Sequence, residues 1–147
     1  QFHVGLMLNA GDVGFDRDDA DAARWFERAA EQGLADAQFN LGLMYYQAEG
    51  VEQSDEQAFR WFSAAAEQGL AKAQFNLGAL YANGHGVEQD YAAGYRLWMI
   101  AIMQGDPNAN ANIGVLREKV SADEAAAAQA DAVEWFNEQQ RATVSPP

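Results

Sequence analysis

Residues 37–42 read Ala37-Gln38-Phe39-Asn40-Leu41-Gly42, and the same six letters return at residues 73–78, a shift of 36. Two further segments repeat with that shift: Gly50-Val51-Glu52-Gln53 returns at residues 86–89, and residues 65–70 have an earlier copy at residues 29–34. Self-similarity with one constant period is the signature of an array in which each repeat unit packs against its neighbours. We therefore predict a repeat fold, a type of structure that serves in binding.

Each unit is predicted to be a pair of helices. Within residues 19–32, apolar residues recur at helical spacing: Ala22, Trp25, Phe26, Ala29 and Ala30. Gly33 then marks the end of that helix. The next helix is predicted over residues 35–47, and a glycine inside it leaves room for a neighbouring helix to approach closely. The second, third and fourth units all have a glycine at this position: Gly42, Gly78 and Gly114.

The repeat register divides the chain into units at residues 1–34, 35–70, 71–106 and 107–140, which form one domain, followed by a tail at residues 141–147. The fourth unit is degenerate. In it, Ser121 and Glu124 form a capping box that opens a long, more polar helix ending near Gln140. We interpret this helix as a C-terminal cap, because the last apolar face of an array has no neighbour. The prediction is an all-α protein with about eight helices in four pairs.

Composition restricts the kind of partner. The chain has 147 residues, a net charge of −13 and no cysteine, which excludes disulfides and thiolate metal sites. Phosphate binding needs a basic face, so nucleic acid is not expected, and a basic or neutral partner is favoured. No apolar run approaches the length that crosses a bilayer, so we expect a soluble chain without membrane insertion. Because the chain opens at Gln1 inside a repeat, we expect a processed protein or an excised fragment that has lost any targeting segment.

Four aspartates, Asp16, Asp18, Asp19 and Asp21, gather before and within the start of the predicted helix over residues 19–32. A calcium loop of the EF-hand type, counted from the first of them, needs a ligand at the fifth position and Gly at the sixth. Ala20 and Asp21 stand there instead. An Asp at a helix start satisfies free N–H groups and favours the positive end of the helix dipole. We therefore interpret the cluster as a helix start and expect no metal.

Three arginines share one position in successive units, at a spacing of 36: Arg24, Arg60 and Arg96. Such a row could form a basic stripe for a ligand. An exposed arginine on a helix more commonly pairs with a nearby carboxylate, and we favour that interpretation.

Three motifs recur in the units: Ala-x-Ala-Gln-Phe-Asn-Leu-Gly-x-x-Tyr, then Gly-x-Gly-Val-x-Gln, then Ala-x-x-Trp-Phe-x-x-Ala-Ala-Glu-Gln-Gly. This pattern resembles the Sel-1-like repeat, a relative of the tetratricopeptide repeat, from about Phe2 to Gln140. The resemblance implies an α-solenoid, a right-handed superhelix of antiparallel helix pairs in which the first helix of each pair, the A helix, lines the concave side. It also implies a non-catalytic scaffold or adaptor that binds a protein or peptide. Proteins with this repeat are common in bacterial signalling and in the bacterial cell envelope. We therefore expect the chain to be located in the periplasm, the envelope or the cytoplasm of a bacterium.

The family pattern places one stripe of A-helix residues in the groove, at a spacing of about four. The predicted partner-binding residues are Phe2, Leu6, Asn9, Asp36, Phe39, Leu43, Tyr46, Gln47, Lys72, Phe75, Ala79 and Asn83, with Ala10 and Ala82 beside them. The three phenylalanines would form a ladder that holds an extended or helical peptide. In the alternative interpretation they are core between repeats, as aromatic stripes at helical spacing commonly are. The predicted aromatic core comprises Trp25, Trp61, Trp98, Trp135, Tyr45 and Tyr81.

Catalytic chemistry is not predicted. His3 and His85 are the only histidines and have no metal-ligand spacing, and no serine stands in a Gly-x-Ser-x-Gly elbow. The segment Gly84-His85-Gly86 lacks the Gly-Lys-Ser/Thr ending of a phosphate loop. We expect no enzyme activity, no cofactor and no metal. The main alternative to protein binding is a binding module for a small molecule or an envelope glycan.

Overall fold

The computed structural model describes residues 18–144. Within that range the chain forms seven α-helices and no β-strand. In chain order they are α1 (Asp19–Glu31), α2 (Ala35–Gln47), α3 (Asp55–Glu67), α4 (Ala71–Asn83), α5 (Tyr91–Met103), α6 (Pro107–Arg117) and α7 (Ala122–Val144). The predicted all-α class is confirmed, and the helix count is close to the predicted eight. The first predicted helix, near Phe2, lies outside the described residues. No helix of residues 18–144 combines the length and apolar character needed to cross a membrane.

The starts of α1, α3 and α5 are fixed by side-chain caps that recur in each unit. The capping hydrogen bonds run from Asp21 N–H to Asp18 Oδ1 (3.0 Å), from Gln57 N–H to Ser54 Oγ (3.2 Å) and from Ala93 N–H to Asp90 Oδ1 (2.9 Å). Each satisfies one of the N–H groups that the first helical turn leaves without a partner. The aspartate cluster is thus a helix start, with Asp18 as its cap and Asp19 and Asp21 in the first turn. Asp16 lies outside the described residues.

The described residues divide into two compact bodies, and the boundary falls inside α4, after Ala73. In the N-terminal body, residues 18–73, α2 packs against both α1 and α3. Its core contains Phe26, Leu41, Met44 and Trp61, each less than 8% exposed. Trp25 and Tyr45 are half-buried at the edge of this core, and the guanidinium of Arg28 lies 5.0 Å from the centroid of the Trp25 ring. The predicted core position of these two aromatic residues is thus at the edge of the core, where they pack against it while partly buried.

In the C-terminal body, residues 74–144, α5 packs against both α6 and α7. Tyr95, Trp98, Leu116 and Val120 are buried in its core. Trp135 is only half-buried, and so is Tyr81. Trp135 belongs to α7, and its indole lines a polar concavity that also includes Arg96. One side of the ring is therefore exposed to solvent.

The C-terminal cap helix opens as the sequence predicts. Ser121 N–H donates to Glu124 Oε2 over 2.8 Å, and Glu124 N–H donates to Ser121 Oγ over 3.1 Å. These reciprocal bonds are the predicted capping box. The helix continues to Val144, beyond the end predicted near Gln140.

The repeated glycine of the A helices has two different environments. A Cβ built on Gly42 would lie 2.8 Å from the ring of Phe62, and one on Gly78 would lie 2.5 Å from the ring of Trp98 and 3.0 Å from the oxygen of Gly94. Such distances are too short for a real Cβ, so these two glycines permit the close approach that the sequence predicts. A Cβ on Gly114 would meet no atom within 4 Å. The prediction is therefore wrong for Gly114, where no neighbouring helix of the described residues comes close.

In each of the two central units, a hydrogen-bonded glutamine pair joins the A helix to the end of the second helix. Gln68 donates to the side-chain oxygen of Gln38 over 2.8 Å, and Gln104 donates to the side-chain oxygen of Gln74. The A-helix partner is buried in both pairs, at 7% exposure for Gln38 and 1% for Gln74. Burying a side-chain amide is costly unless it finds hydrogen-bond partners. This need explains why glutamine recurs at both positions with the repeat period.

The repeated Gly-Val-Glu-Gln loop is held to the A helix by its last residue. Gln53 Nε2 donates to the main-chain oxygen of Tyr46 over 3.3 Å, and Gln89 Nε2 donates to that of Ala82 over 2.7 Å. Both acceptors lie in the last turn of a helix, where main-chain oxygens have no partner within the helix. The loop glutamine thus satisfies the end of α2 and of α4 in the same way.

Each of the three repeated arginines contacts another side chain, so they do not form a stripe of cations without partners. Arg24 pairs with Asp21 at 2.7 Å, and Arg96 pairs with Asp131 at 3.5 Å. The guanidinium of Arg60 lies 4.8 Å from the centroid of the Trp61 ring, a cation–π contact. Pairing with a carboxylate thus describes two of the three arginines.

Candidate functional site

The predicted groove residues fall into three groups. Phe2, Leu6, Asn9 and Ala10 lie outside the described residues. Those in the N-terminal body are Asp36, Phe39, Leu43, Tyr46, Gln47 and Lys72, and those in the C-terminal body are Phe75, Ala79, Ala82 and Asn83.

In the N-terminal body, Lys72 lies over the ring of Phe39, one of the predicted groove residues. Its ammonium lies 2.7 Å from Asp36 Oδ1 and 4.6 Å from the centroid of the Phe39 ring. Phe39 is 9% exposed, and its ring lies 5.7 Å from that of Phe62. The ring of Phe39 is therefore part of the core with a cation over it, which is the alternative that the sequence left open. Leu43 and Tyr46 are half-buried, and Gln47 is exposed.

In the C-terminal body, the predicted residues meet at one cavity of about 390 Å³. It is lined by Phe75, Ala79, Ala82, Asn83, Gln89, Tyr91, Trp98, Asn112, Val115, Leu116 and Lys119. The helices α4 and α6 supply most of these residues, and both are A helices. The sequence thus placed Phe75, Ala79 and Asn83 in one site, and the structure brings them together.

The aromatic wall of this cavity is held rigidly. The rings of Phe75 and Trp98 are stacked with centroids 5.3 Å apart and an angle of 23° between their planes. Trp98 Nε1 also donates to the main-chain oxygen of Phe75 over 2.9 Å. Trp98 is buried, whereas Phe75 is half-buried and faces the cavity. A fixed, partly wet aromatic surface next to small side chains suits an apolar group of a ligand.

The opposite wall comes from α6 and the turn after it, and the sequence analysis missed it. Val115 is 61% exposed although it is apolar, and Asn112 and Lys119 are exposed beside it. A signal was present. Val115 and Lys119 follow Ala79 and Asn83 by 36 residues, so they occupy the same groove positions in the fourth unit. Gly114 already placed the fourth unit in the repeat register, but the predicted groove stripe stopped at the third unit.

Two further concavities lie on α7. One, of about 560 Å³, runs along a single face of the helix and includes the apolar Val133, which is 42% exposed. The other, of about 390 Å³, is lined by Arg96, Asp131, Glu134, Trp135 and Glu138. Neither includes a predicted groove residue. Over residues 18–144, no group of three or more His, Cys, Asp and Glu side chains is placed to hold a metal ion.

Paired helices with recurring caps, recurring glutamine bonds and a constant period define a helical-repeat protein. Comparison with protein families makes this specific: residues 1–34, 35–70 and 71–106 each match the Sel1 repeat. The chain belongs to the Sel1 repeat family. Proteins with this fold are generally protein–protein interaction scaffolds and typically non-catalytic. No curated protein matches the chain.

Solved structures support the same fold. The crystal structure of a Sel1 repeat protein from Oxalobacter formigenes is 36% identical, with a TM-score of 0.72 over 77% of this chain and 46% of that one. The structure of c5321, a protective antigen of uropathogenic Escherichia coli strains that displays an SLR fold, is 24% identical, with a TM-score of 0.75 over 99% of this chain and 40% of that one. The chain therefore spans less than half the length of either relative.

Proposed function

We propose that this chain is a non-catalytic scaffold that binds a protein or peptide segment on the surface formed by its A helices. The observation that carries the proposal is the cavity between α4 and α6, where predicted groove residues of one unit meet the equivalent residues of the next. An array that reads an extended segment needs such equivalent positions at neighbouring units.

The lining of the cavity suits peptide binding. Phe75 and Val115 offer apolar contact, and Asn83 offers both a hydrogen-bond donor and an acceptor. A volume of about 390 Å³ is near the lower end of the sizes found for ligand sites, so it suits one or two side chains of a longer segment. Burying one large apolar side chain contributes about 1.5–3 kcal/mol, so further contacts along the groove must supply the rest of a micromolar affinity.

The test uses two valines as a matched pair. Val115 lines the cavity and Val133 does not, yet both are exposed on helices of the same body. A random peptide library displayed on phage is selected on the whole chain, and the affinities of enriched peptides are measured by fluorescence anisotropy. Val115→Asp should weaken them about tenfold or more, because it puts a carboxylate against the apolar group of the ligand. Val133→Asp should leave them unchanged.

Circular dichroism should show equal helicity for the two variants. Peptides that bind both variants equally would move the site to another surface and contradict the proposal. An absence of enriched peptides, together with binding on a glycan array that Val115→Asp abolishes, would instead assign the cavity to a glycan or small molecule.

A further inference from the structure

Lys119 gives the lining of the cavity a positive side chain, although the chain as a whole is strongly negative. The chain has 22 acidic and nine basic residues, and its net charge is −13. Yet Lys119 is the one charged side chain among the described residues that line the cavity, and none of these residues is a carboxylate. The one charged side chain of the lining is therefore opposite in sign to the net charge of the whole chain.

The ammonium of Lys119 is available to a partner. The ion pairs of the described residues involve other cations, namely Arg24, Lys72 and Arg96, and within residues 18–144 Lys119 has no carboxylate within salt-bridge distance. The side chain of Lys119 is exposed. Lys72, at the groove of the N-terminal body, differs because Asp36 already neutralises it.

We infer that the segment bound in this cavity carries a carboxylate beside an apolar side chain, and that Lys119 pairs with this carboxylate; the inference rests on the function proposed above. The apolar side chain packs against Phe75 and Val115. Lys119 follows Val115 by four residues and lines the same cavity, so neighbouring residues of one segment reach both groups.

This pairing gives the cavity a selectivity that the overall charge would not predict. The field of the whole chain favours basic or neutral partners at long range. Within the cavity, a carboxylate gains a direct ion pair, whereas a basic side chain meets the ammonium of Lys119 and is rejected. The favoured segment is therefore one with an isolated acidic residue, and not a strongly acidic one.

The experiment selects one displayed random peptide library in parallel on the whole wild-type chain, on Lys119→Gln, on Lys119→Glu and on Arg117→Glu. Arg117 is the matched control, because it is an exposed cation in the last turn of α6 that does not line the cavity. The wild-type pool should be enriched in Asp or Glu at a fixed distance from an apolar residue. The Lys119→Gln pool should lose the acidic residue and keep the apolar one. The Lys119→Glu pool should carry Lys or Arg in its place, and the Arg117→Glu pool should match the wild type.

Affinities give the second readout. A synthetic peptide from the wild-type pool should bind Lys119→Gln about two- to fivefold more weakly, as expected for a partly exposed ion pair. Added salt should weaken its binding to the wild type and not to Lys119→Gln. Peptides that depend on Val115 but show no acidic preference would overturn this inference and leave the proposed function standing. A library that yields no Val115-dependent peptide would overturn both.

Discussion

The side-chain amide of Gln68 donates a hydrogen bond of 2.8 Å to the side-chain oxygen of Gln38. Gln68 also donates to the main-chain oxygen of Gly33, and Gln38 donates to that of Ala30. One amide pair thus links the end of α3 to α2 and to the end of α1. The two glutamines stand 30 positions apart in the chain, and Gln38 is buried.

This network predicts energetic coupling between the two glutamines. A double-mutant cycle of Gln38→Met and Gln68→Met, measured by urea unfolding, should give a coupling free energy of about 0.5–1.5 kcal/mol, the usual net contribution of one hydrogen bond. The control cycle pairs Gln68→Met with Gln53→Met, whose partner is the main chain of Tyr46. That control should be additive. An additive result for the Gln38–Gln68 cycle as well would mean that this bond is not formed in solution.

Because the repeated glycine has two different environments, replacing it with alanine should change the free energy of unfolding in opposite directions at Gly78 and Gly114. Gly78→Ala should lower the free energy of unfolding by about 1–3 kcal/mol, because its Cβ meets Trp98 and the oxygen of Gly94 and forces the helices apart. Gly114→Ala occupies the same repeat position with open space around it. It should raise the free energy of unfolding by up to about 1 kcal/mol, since alanine favours helix over glycine. Thermal unfolding followed by circular dichroism measures both, and destabilisation by Gly114→Ala would contradict the open environment.

The sequence predicted what depends on neighbours along the chain. Helix ends follow from the aspartates around Asp18, from Gly33 and from the Ser121–Glu124 box, whose partners all lie within a few residues. The sequence did not predict the Gln38–Gln68 pair, because recurrence shows that a residue matters without showing what it contacts. Its 36-residue period also implied one role for every glycine in the series, whereas packing in the fourth unit differs.

The candidate site was predicted only in part for a related reason. Phe39 and Phe75 share one repeat position, yet Lys72 covers the first ring and a cavity lies beside the second. The fourth unit differs at both positions. Ala111 stands at the position of Phe39 and Phe75, and Asn108 stands at the position of Lys72. The fourth unit thus has no lysine at the position from which Lys72 covers Phe39, and a single repeat motif does not reveal this difference.

Phe39 should therefore behave as a core residue and Lys72 as a surface residue. Phe39→Ala should lower the free energy of unfolding by about 3–5 kcal/mol, as large-to-small core substitutions do. Lys72→Ala should cost about 1 kcal/mol or less, because its ion pair and its cation–π contact are exposed. Urea unfolding of the two variants makes the comparison. A small loss for Phe39→Ala would show that the ring is not packed in the core and would restore it as a groove residue.

The capping box at the start of α7 predicts a pH dependence of stability. Hydrogen bonds to the main chain and to the side chain of Ser121 lower the pKa of Glu124 below its ordinary value, against smaller opposing effects of desolvation and of the negative charge of Asp90. Because the folded pKa is lowered, the ionised carboxylate stabilises the fold above the ordinary glutamate pKa of about 4.3, and this contribution is lost as the pH falls through the folded value. Glu124→Gln should thus destabilise the chain at neutral pH, and the difference from the wild type should vanish in acid. NMR titration of the side-chain carboxyl carbon of Glu124 measures its pKa directly, and Ser121→Ala should raise that pKa towards the ordinary value. A stability difference that persists unchanged below the folded pKa would show that Glu124 acts through packing and not through its charge.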